Sequence, residues 1–492
     1  MFPGRIAAAA LLFAALAFGI YGIGRSLWLD EAWVANSVLA PSLSGMFFYP
    51  DWLQTSPPLF LSLTRTAVHA FGVSNAAFRL VPLAFALVAV ASMMAVSRRL
   101  LSPPFAVLAC TLLAFHPTTT EYSRTCKQYA GELAASVVIL LCTVVYLQRQ
   151  NRRRFYGLAG AFALTLPMAW STAFLLPGVA IAVWARGGIR RAAALVLIAG
   201  GVVAILYVVF IWPNLSFELR VYWIANAQRL SPGLLAAVVF CVAAGLRATF
   251  TLYKPPKSRV LPIRALMQIA AVLPCLLLAV ADAFQWYPAS PRTRLFVLPC
   301  FLLVAAMNAE DLCHRLTRGR IPRLVGAALW LTVIAVASGA AWKQVREHRS
   351  QPGEDFAGAV QFLRQNVTPA DLLLVHASMI EGFKLYTTMG GWHDHHAIYG
   401  DTGWPCCRRD NIATRLTSTR PAVFEDLDRK IPRGFAGRVW MMYSTRDTHW
   451  AWAGLDEGKL WRSHVWDKGC PPGPYLALEN IAVTAMDCVG AR

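Results

Sequence analysis

Asp30 and Glu31 stand side by side in Ser26-Leu27-Trp28-Leu29-Asp30-Glu31-Ala32-Trp33, between bulky apolar residues and directly after an apolar run. Taking a carboxylate out of water is costly, so acids at the rim of a membrane span do chemistry, hold a metal or pair with a cation. Adjacent side chains point apart on a helix or strand, which argues against one shared proton and for two separate tasks. One task would face a reacting group; the other would anchor the loop or a divalent ion. A structural alternative stays open: Asp30 also suits a helix N-cap followed by an acidic first turn.

Cations recur at the same level of the chain. Glu121-Tyr122-Ser123-Arg124-Thr125-Cys126-Lys127-Gln128-Tyr129 lies between two apolar runs, and Pro288-Ala289-Ser290-Pro291-Arg292-Thr293-Arg294 opens another. Arginine and lysine there suit a phosphate group, and they equally suit snorkelling to lipid headgroups. The tract His393-Asp394-His395-His396 is rich in ligand-type side chains, yet no partner spacing closes a metal site, so it reads as a polar loop. No phosphate-binding glycine loop or dinucleotide fingerprint follows a strand, which sets nucleotide chemistry aside.

The elements that position these residues are membrane spans. Of 492 residues, 57% are hydrophobic and only 15% charged, too few charges to cover a soluble surface. Runs near 5–24, 76–96, 105–116, 129–147, a tight pair through 155–184, then 192–212, 234–252, 265–281, 295–309 and 324–342 predict about eleven spans. The net charge of +20 raises nucleic acid as a partner. Its placement argues otherwise: Arg98-Arg99, Arg149 with Arg152 to Arg154, Arg186 with Arg190-Arg191, Lys254 with Lys257 and Arg259, and Arg315 to Arg323 all sit in short loops between apolar runs. That is the pattern that orients a membrane protein. It puts the 25–75 loop, the Arg124–Lys127 segment, the Arg292 segment and the C-terminal tail together outside.

Two domains follow: a membrane domain over 1–343 with a long first outer loop (25–75), and an outer α/β domain over 344–492. In the loop, 46–50 and 57–63 suit helices lying along the headgroups. In the tail, Phe356, Val360 and Leu363 mark one helix face, 379–389 predicts a second helix, and 372–375, 439–443 and 481–484 read as strands. Among the outer cysteines, Cys406, Cys407, Cys470 and Cys488, a Cys470–Cys488 bridge is one possible pairing.

With these motifs in order, the chain resembles the GT-C superfamily of polytopic glycosyltransferases, in the branch of protein-O-mannosyltransferases and aminoarabinose transferases. Ser26 to Ala32 resembles that family's Leu-Trp-x-Asp-Glu element. Ser56-Pro57-Pro58-Leu59-Phe60 is similar to its His-Pro-Pro-Leu-Tyr, followed by Phe71-Gly72 and Arg79-Leu80-Val81-Pro82. Tyr122-Ser123 with Lys127-Gln128-Tyr129, and Pro291-Arg292 through Pro299, resemble two further elements. Ser56, Lys127 and Thr293 replace the family's usual His, Arg and Tyr, and Lys127 keeps the charge without the bidentate fork.

The resemblance implies a GT-C helical membrane protein that moves a monosaccharide, hexose or pentose, from a polyprenyl-phosphate donor to a glycan, lipid or protein acceptor. It implies inversion at the anomeric carbon. Asp30 would be the general base, and Glu31 would position it or hold a divalent ion, the one cofactor implied. Lys127 and Arg292, with Arg124 and Arg294, would bind the departing phosphate. Trp28, Tyr122, Tyr129, Glu121, Pro57 and Pro58 would line the substrate pocket. The implied setting is a bacterial inner membrane, with the C-terminal domain periplasmic, lipids as neighbours and no nucleic acid partner. A transporter or lipid flippase with a soluble outer domain is the alternative.

Overall fold

The apolar runs become helices because no residue within them prefers another state strongly enough, and their ends carry helix punctuation. The computed structural model describes residues 12–17, 19–49, 56–214, 232–253, 262–284, 286–287, 290, 292–316, 339, 343, 353–399, 420–445, 457–478 and 480–489. Residues 12–17 and 19–20 are helical. The 25–75 segment then folds into α1 (Leu29–Leu39), α2 (Leu43–Phe47) and α3 (Pro58–Phe71), so the apolar stretch 57–63 is helical from Pro58 on, while of 46–50 only Met46 and Phe47 are helical and Pro50 lies outside the described residues.

The membrane part continues as α4 (Asn75–Leu100), α5 (Pro103–Ala114), α6 (Pro117–Tyr122), α7 (Tyr129–Gln148), α8 (Arg152–Thr165), α9 (Leu176–Gly187), α10 (Ile189–Leu206), α11 (Pro232–Tyr253), α12 (Ile263–Ala283) and α13 (Leu298–Leu316). Ser74 caps α4 by accepting from the Ala77 N–H, and Arg98-Arg99 in its last turn oppose the helix dipole. Prolines begin α3, α5 and α6, where a missing N–H costs nothing. Among the described residues, five helical stretches are long and apolar enough to cross a membrane: Asn75–Leu100, Tyr129–Gln148, Ile189–Ile211, Ile263–Ala283 and Leu295–Cys313. The predicted span at 324–342 and the start of the first lie outside the described residues.

Helix α7 is the hub. It packs on α4, α8 and α12, and its buried faces carry Leu133, Val137, Leu140, Val144 and Leu147. A hub buried nearly all round must be apolar nearly all round, and α7 is.

The C-terminal part builds a five-stranded sheet from β1 (Leu372–Val375), β2 (Ala397–Tyr399), β3 (Ala436–Ser444), β4 (Pro472–Leu478) and β5 (Ile481–Val489), in the order β2-β1-β3-β5-β4. β1 runs parallel to β2 and β3, while β5 is antiparallel to β3 and β4. Helices α14 (Phe356–Asn366) and α15 (Ile380–Met389) cover one face with Leu373, Val375, Trp440, Met442 and Val483. Helices α16 (Arg420–Lys430) and α17 (Glu457–Asp467) cover the other with Leu374, Val439, Met441, Tyr443 and Trp461. The three predicted strands and both predicted helices are present. Strands β2 and β4 and helices α16 and α17 were not expected: β2 is three residues long, and β4 is an exposed edge strand that opens on Pro472 and so shows no buried alternation.

The core behind α14 and α15 does not stop at the sheet. It runs on into Leu27, Ala32, Val34, Ala35 and Val38 around α1, and into Phe60 and Phe78 of the membrane part. The loop that carries Asp30 is therefore packed between the two parts.

Cys470 and Cys488 form a disulfide that ties the start of β4 to the end of β5. Closing so short a loop restrains the unfolded chain. Replacing both cysteines with serine is expected to lower stability by about 2–4 kcal/mol, read as a shift in the denaturation midpoint without reductant.

Candidate functional site

The site begins where the N-terminal helical segment ends and α1 starts. Trp28 is the residue before the first turn, and it has no hydroxyl or carboxyl with which to cap the helix. Glu31 supplies part of that function by reaching back to the Trp28 N–H at 3.4 Å. Its carboxylate is fully buried and meets a second buried group, Arg79, in the first turn and a half of α4.

Arg79 donates from Nε to Glu31 Oε1 at 2.8 Å and from Nη2 to Oε2 at 2.5 Å. The same guanidinium donates to the carbonyl oxygens of Ile23, Arg25 and Ser26. Each of its five N–H bonds thus has an acceptor. Glu31 Oε1 also accepts from the Cys126 N–H at 2.6 Å, which joins the Arg124–Lys127 segment to the Asp-Glu loop. A divalent ion does not fit at Glu31, because its oxygens already face N–H donors. Among the described residues no group of three or more His, Cys, Asp or Glu side chains is placed to hold a metal.

Asp30 is set differently. It is partly exposed, and its Oδ2 accepts from Arg292 Nη1 at 2.8 Å, across 262 residues of sequence. Lys127 is buried and lies 5.9 Å from the centre of the Trp33 ring. Burial pulls the Lys127 ammonium below its ordinary value, Asp30 pushes it back up, and Arg292 adds to the lowering. Glu121 is raised by burial and countered by Arg124 and Arg292. Tyr122 is pushed upward by burial, with Glu121, Arg292 and Asp30 among the charges it feels, and its ring meets Tyr129 edge-on at 4.8 Å.

The fold therefore gathers Asp30, Arg292, Lys127, Glu121, Tyr122 and Tyr129. Arg124 sits one step away, donating to the Tyr21 carbonyl, and feels Arg25, Glu121 and Arg79. Arg294 is not placed with this group: its acidic neighbour is Asp282, and its Nε and Nη2 have no hydrogen-bond partner among the described residues. Pro57 and Pro58 begin α3, which the Leu59 N–H ties to the Pro167 carbonyl.

Several residues of the site carried no expected role. Arg79 had a signal, a lone cation near the N-terminal end of an apolar run, but only its place in a motif was read. Glu132 had one too: it is an acid inside a span, buried in α7 one turn below Tyr129, and its Oε2 has no partner among the described residues. Glu354, Glu381 and Tyr386 of the C-terminal part reach the Asp30 loop and helix, and no local pattern announces that.

Comparison with known proteins agrees with the motif reading. Residues 55–214 match the family model described as dolichyl-phosphate-mannose-protein mannosyltransferase. No curated protein matches the sequence. Among solved structures, the chain is similar to ArnT from Cupriavidus metallidurans bound to undecaprenyl phosphate, with a TM-score of 0.54 and 14% identity over 99% of this chain and 98% of that one. It is similar to the same protein in the apo state, with a TM-score of 0.53 and 14% identity over 97% of each chain. It is also similar to the oligosaccharyltransferase AglB from Archaeoglobus fulgidus in complex with an inhibitory peptide and a dolichol-phosphate, with a TM-score of 0.50 and 12% identity over 98% of this chain and 74% of that one. In fold the chain is similar to these solved structures, with apolar helices joined to a C-terminal α/β part.

A buried ion pair that loses one partner leaves an uncompensated charge. Arg79→Leu is therefore expected to destabilise the protein by about 3–5 kcal/mol, and Glu31→Leu similarly. The double variant should lose clearly less than the sum, a coupling that a double-mutant cycle on unfolding midpoints will read.

Proposed function

We propose that the chain transfers a monosaccharide, hexose or pentose, from a polyprenyl-phosphate donor to a hydroxyl acceptor on a glycan, lipid or protein, at the outer face of the membrane. The observation that carries this reading is the Asp30–Arg292 contact with buried Lys127 beside it. One carboxylate suited to take a proton stands among cations suited to take a phosphate. The match to a mannosyltransferase family model, and a similar fold crystallised with undecaprenyl phosphate, support the choice of donor.

In this mechanism Asp30 accepts the acceptor's hydroxyl proton as the oxygen attacks the anomeric carbon. The new C–O bond forms on the face opposite the leaving group, so configuration inverts. The bond from the anomeric carbon to the phosphate oxygen breaks through an oxocarbenium-like state. Polyprenyl phosphate leaves as an anion, and Lys127 and Arg292 stabilise the charge that collects on it. Without donor, Arg292 holds Asp30. A donor phosphate competes for that guanidinium and would leave the Asp30 carboxylate to the acceptor. Arg124 and Glu121 tune this field, Arg294 beside Asp282 stands outside it, and Trp28, Tyr122 and Tyr129 with Pro57 and Pro58 shape the pocket. Glu31 acts through position rather than through a metal.

The same reading places the boundary between membrane and outer domains near residue 343. It sets the outer domain in the periplasm of a bacterial inner-membrane protein, a compartment where the Cys470–Cys488 disulfide persists. A flippase would move lipid across vesicles with no acceptor present, whereas a transferase needs both substrates.

Asp30→Asn is expected to leave undecaprenyl phosphate binding undiminished, since it weakens the competitor for Arg292, and to lower transfer by about 100-fold or more, the usual scale for losing a general base. Normal turnover by that variant would remove Asp30 from the role. Lys127→Ala and Arg292→Ala should each weaken undecaprenyl phosphate binding, measured by calorimetry.

Phosphate binding favours the charged form of Lys127, whose pKa burial lowers. Affinity for undecaprenyl phosphate should therefore be full below that lowered value and fall as pH rises through it, earlier than an exposed lysine would allow. Lys127→Arg should move this alkaline limb upward; a limb that stays in place assigns it to another group.

A further inference from the structure

The backbone entering α1 is held from outside itself. Consecutive N–H groups at Leu27, Trp28 and Leu29 each meet a side-chain oxygen. Leu27 donates to Tyr386 Oη at 2.7 Å, Trp28 to Glu31 Oε2 at 3.4 Å, and Leu29 to Glu354 Oε2 at 2.7 Å. Two of these three acceptors belong to the C-terminal part, more than 300 residues away in sequence. Glu354 is 1% exposed and sits just ahead of α14, while Tyr386 is 7% exposed and lies in α15.

Each contact is built rather than incidental. A carboxylate against the first N–H of a helix satisfies an orphan donor and complements the positive end of the dipole. The Tyr386 hydroxyl accepts from Leu27 and the Ser26 hydroxyl, and donates to Asn75 Oδ1 at 2.8 Å, so it also ties α15 to the first residue of α4. Farther along α1, Asn36 donates to the Glu381 carbonyl and carboxylate. Helix α1 is thus gripped at its start and again near its end by the C-terminal part.

We infer that the C-terminal part belongs to the reaction centre, with Glu354 and Tyr386 as positioning residues that fix where Asp30 stands by holding the backbone of Leu29 and Leu27. The inference rests on the reading of Asp30 as the general base. Asp30 is the residue immediately after Leu29, so a shift of that N–H moves the Asp30 Cα with it. Losing the Glu354 or Tyr386 oxygen frees the loop without removing any group that touches donor or acceptor.

The test uses the full chain in lipid vesicles, with the undecaprenyl-phosphate-linked hexose or pentose that the unmodified protein accepts. Tyr386→Phe and Glu354→Ala should each lower kcat by about 10- to 100-fold, the scale of a small misplacement of a catalytic group, with donor KM unchanged. Glu354→Gln keeps an acceptor oxygen at the same reach and should restore most of the rate. Amide deuterium exchange over residues 26–30 should accelerate in the two damaging variants and stay slow in Glu354→Gln. Faster exchange with unchanged kcat would overturn the proposal, because the contacts would then hold the C-terminal part in place without setting Asp30. Unchanged exchange in both variants, or a loss of kcat only in step with a loss of folded protein, would overturn it equally. An active Asp30→Asn variant sinks the base assignment instead, and the exchange measurement still reports whether Glu354 and Tyr386 hold the loop.

Discussion

Arg79 is the fixed point of the site. Its guanidinium spends five N–H bonds on two carboxylate oxygens of Glu31 and three carbonyls of the chain entering α1. Taking both charges out of water carries a penalty of several kcal/mol per ion, which only near-complete hydrogen bonding offsets. That condition is met here, and it makes the arrangement intolerant of change. A lysine would keep the charge and lose the planar fork. Cys126 adds a backbone donor to the same carboxylate, so the loop that carries Lys127 is registered against the loop that carries Asp30. The separation of Asp30 from the cations is then a property of buried hydrogen bonds rather than of surface loops.

Around that point the site holds an excess of positive charge. Arg25, Arg124, Lys127 and Arg292 act on one another or on the same few acids, and burial lowers the pKa of both Arg124 and Lys127. Cations packed together out of water repel, and the fold tolerates this only at a cost in stability. A bound phosphate relieves it by adding the missing anion in a medium where each charge-assisted hydrogen bond is strong. Glu121 and Asp30 supply part of the compensation within the protein itself. The field is therefore suited to an added anion.

Much of this was legible in the sequence. Spans with strong apolar runs, such as α4, α7, α10 and α12, appear within a few residues of their expected ends, since bilayer length and composition leave few alternatives. The clustering of Asp30 with Lys127 and Arg292 followed from topology, because all three were expected at the same ends of spans. Edge strand β4 was not legible: it buries neither face consistently, and Pro472 and Pro474 disguise it. Arg294 was grouped with Arg292 through a two-residue spacing, yet the fold leaves it near Asp282. The grip of Glu354 and Tyr386 on Leu29 and Leu27 was hidden for a deeper reason. A contact across more than 300 residues leaves no trace in local periodicity, and an acid before a helix reads as an ordinary surface residue.

The two carboxylates of the motif acquire their different environments from helix geometry. Successive residues of an α-helix are about 100° apart around the axis, since a turn takes about 3.6 residues. With Glu31 locked against Arg79 and buried, Asp30 cannot share that pocket; it is carried round to the partly exposed side where Arg292 meets it. Glu354 and Asn36 then prevent α1 from rotating about its own axis, and the apolar core shared by α1, α3, α14 and α15 prevents it from sliding. The clamp on one acid is thus what aims the other. The direction of Asp30 is thus set by the burial of its neighbour, and the membrane and C-terminal parts both contribute to it.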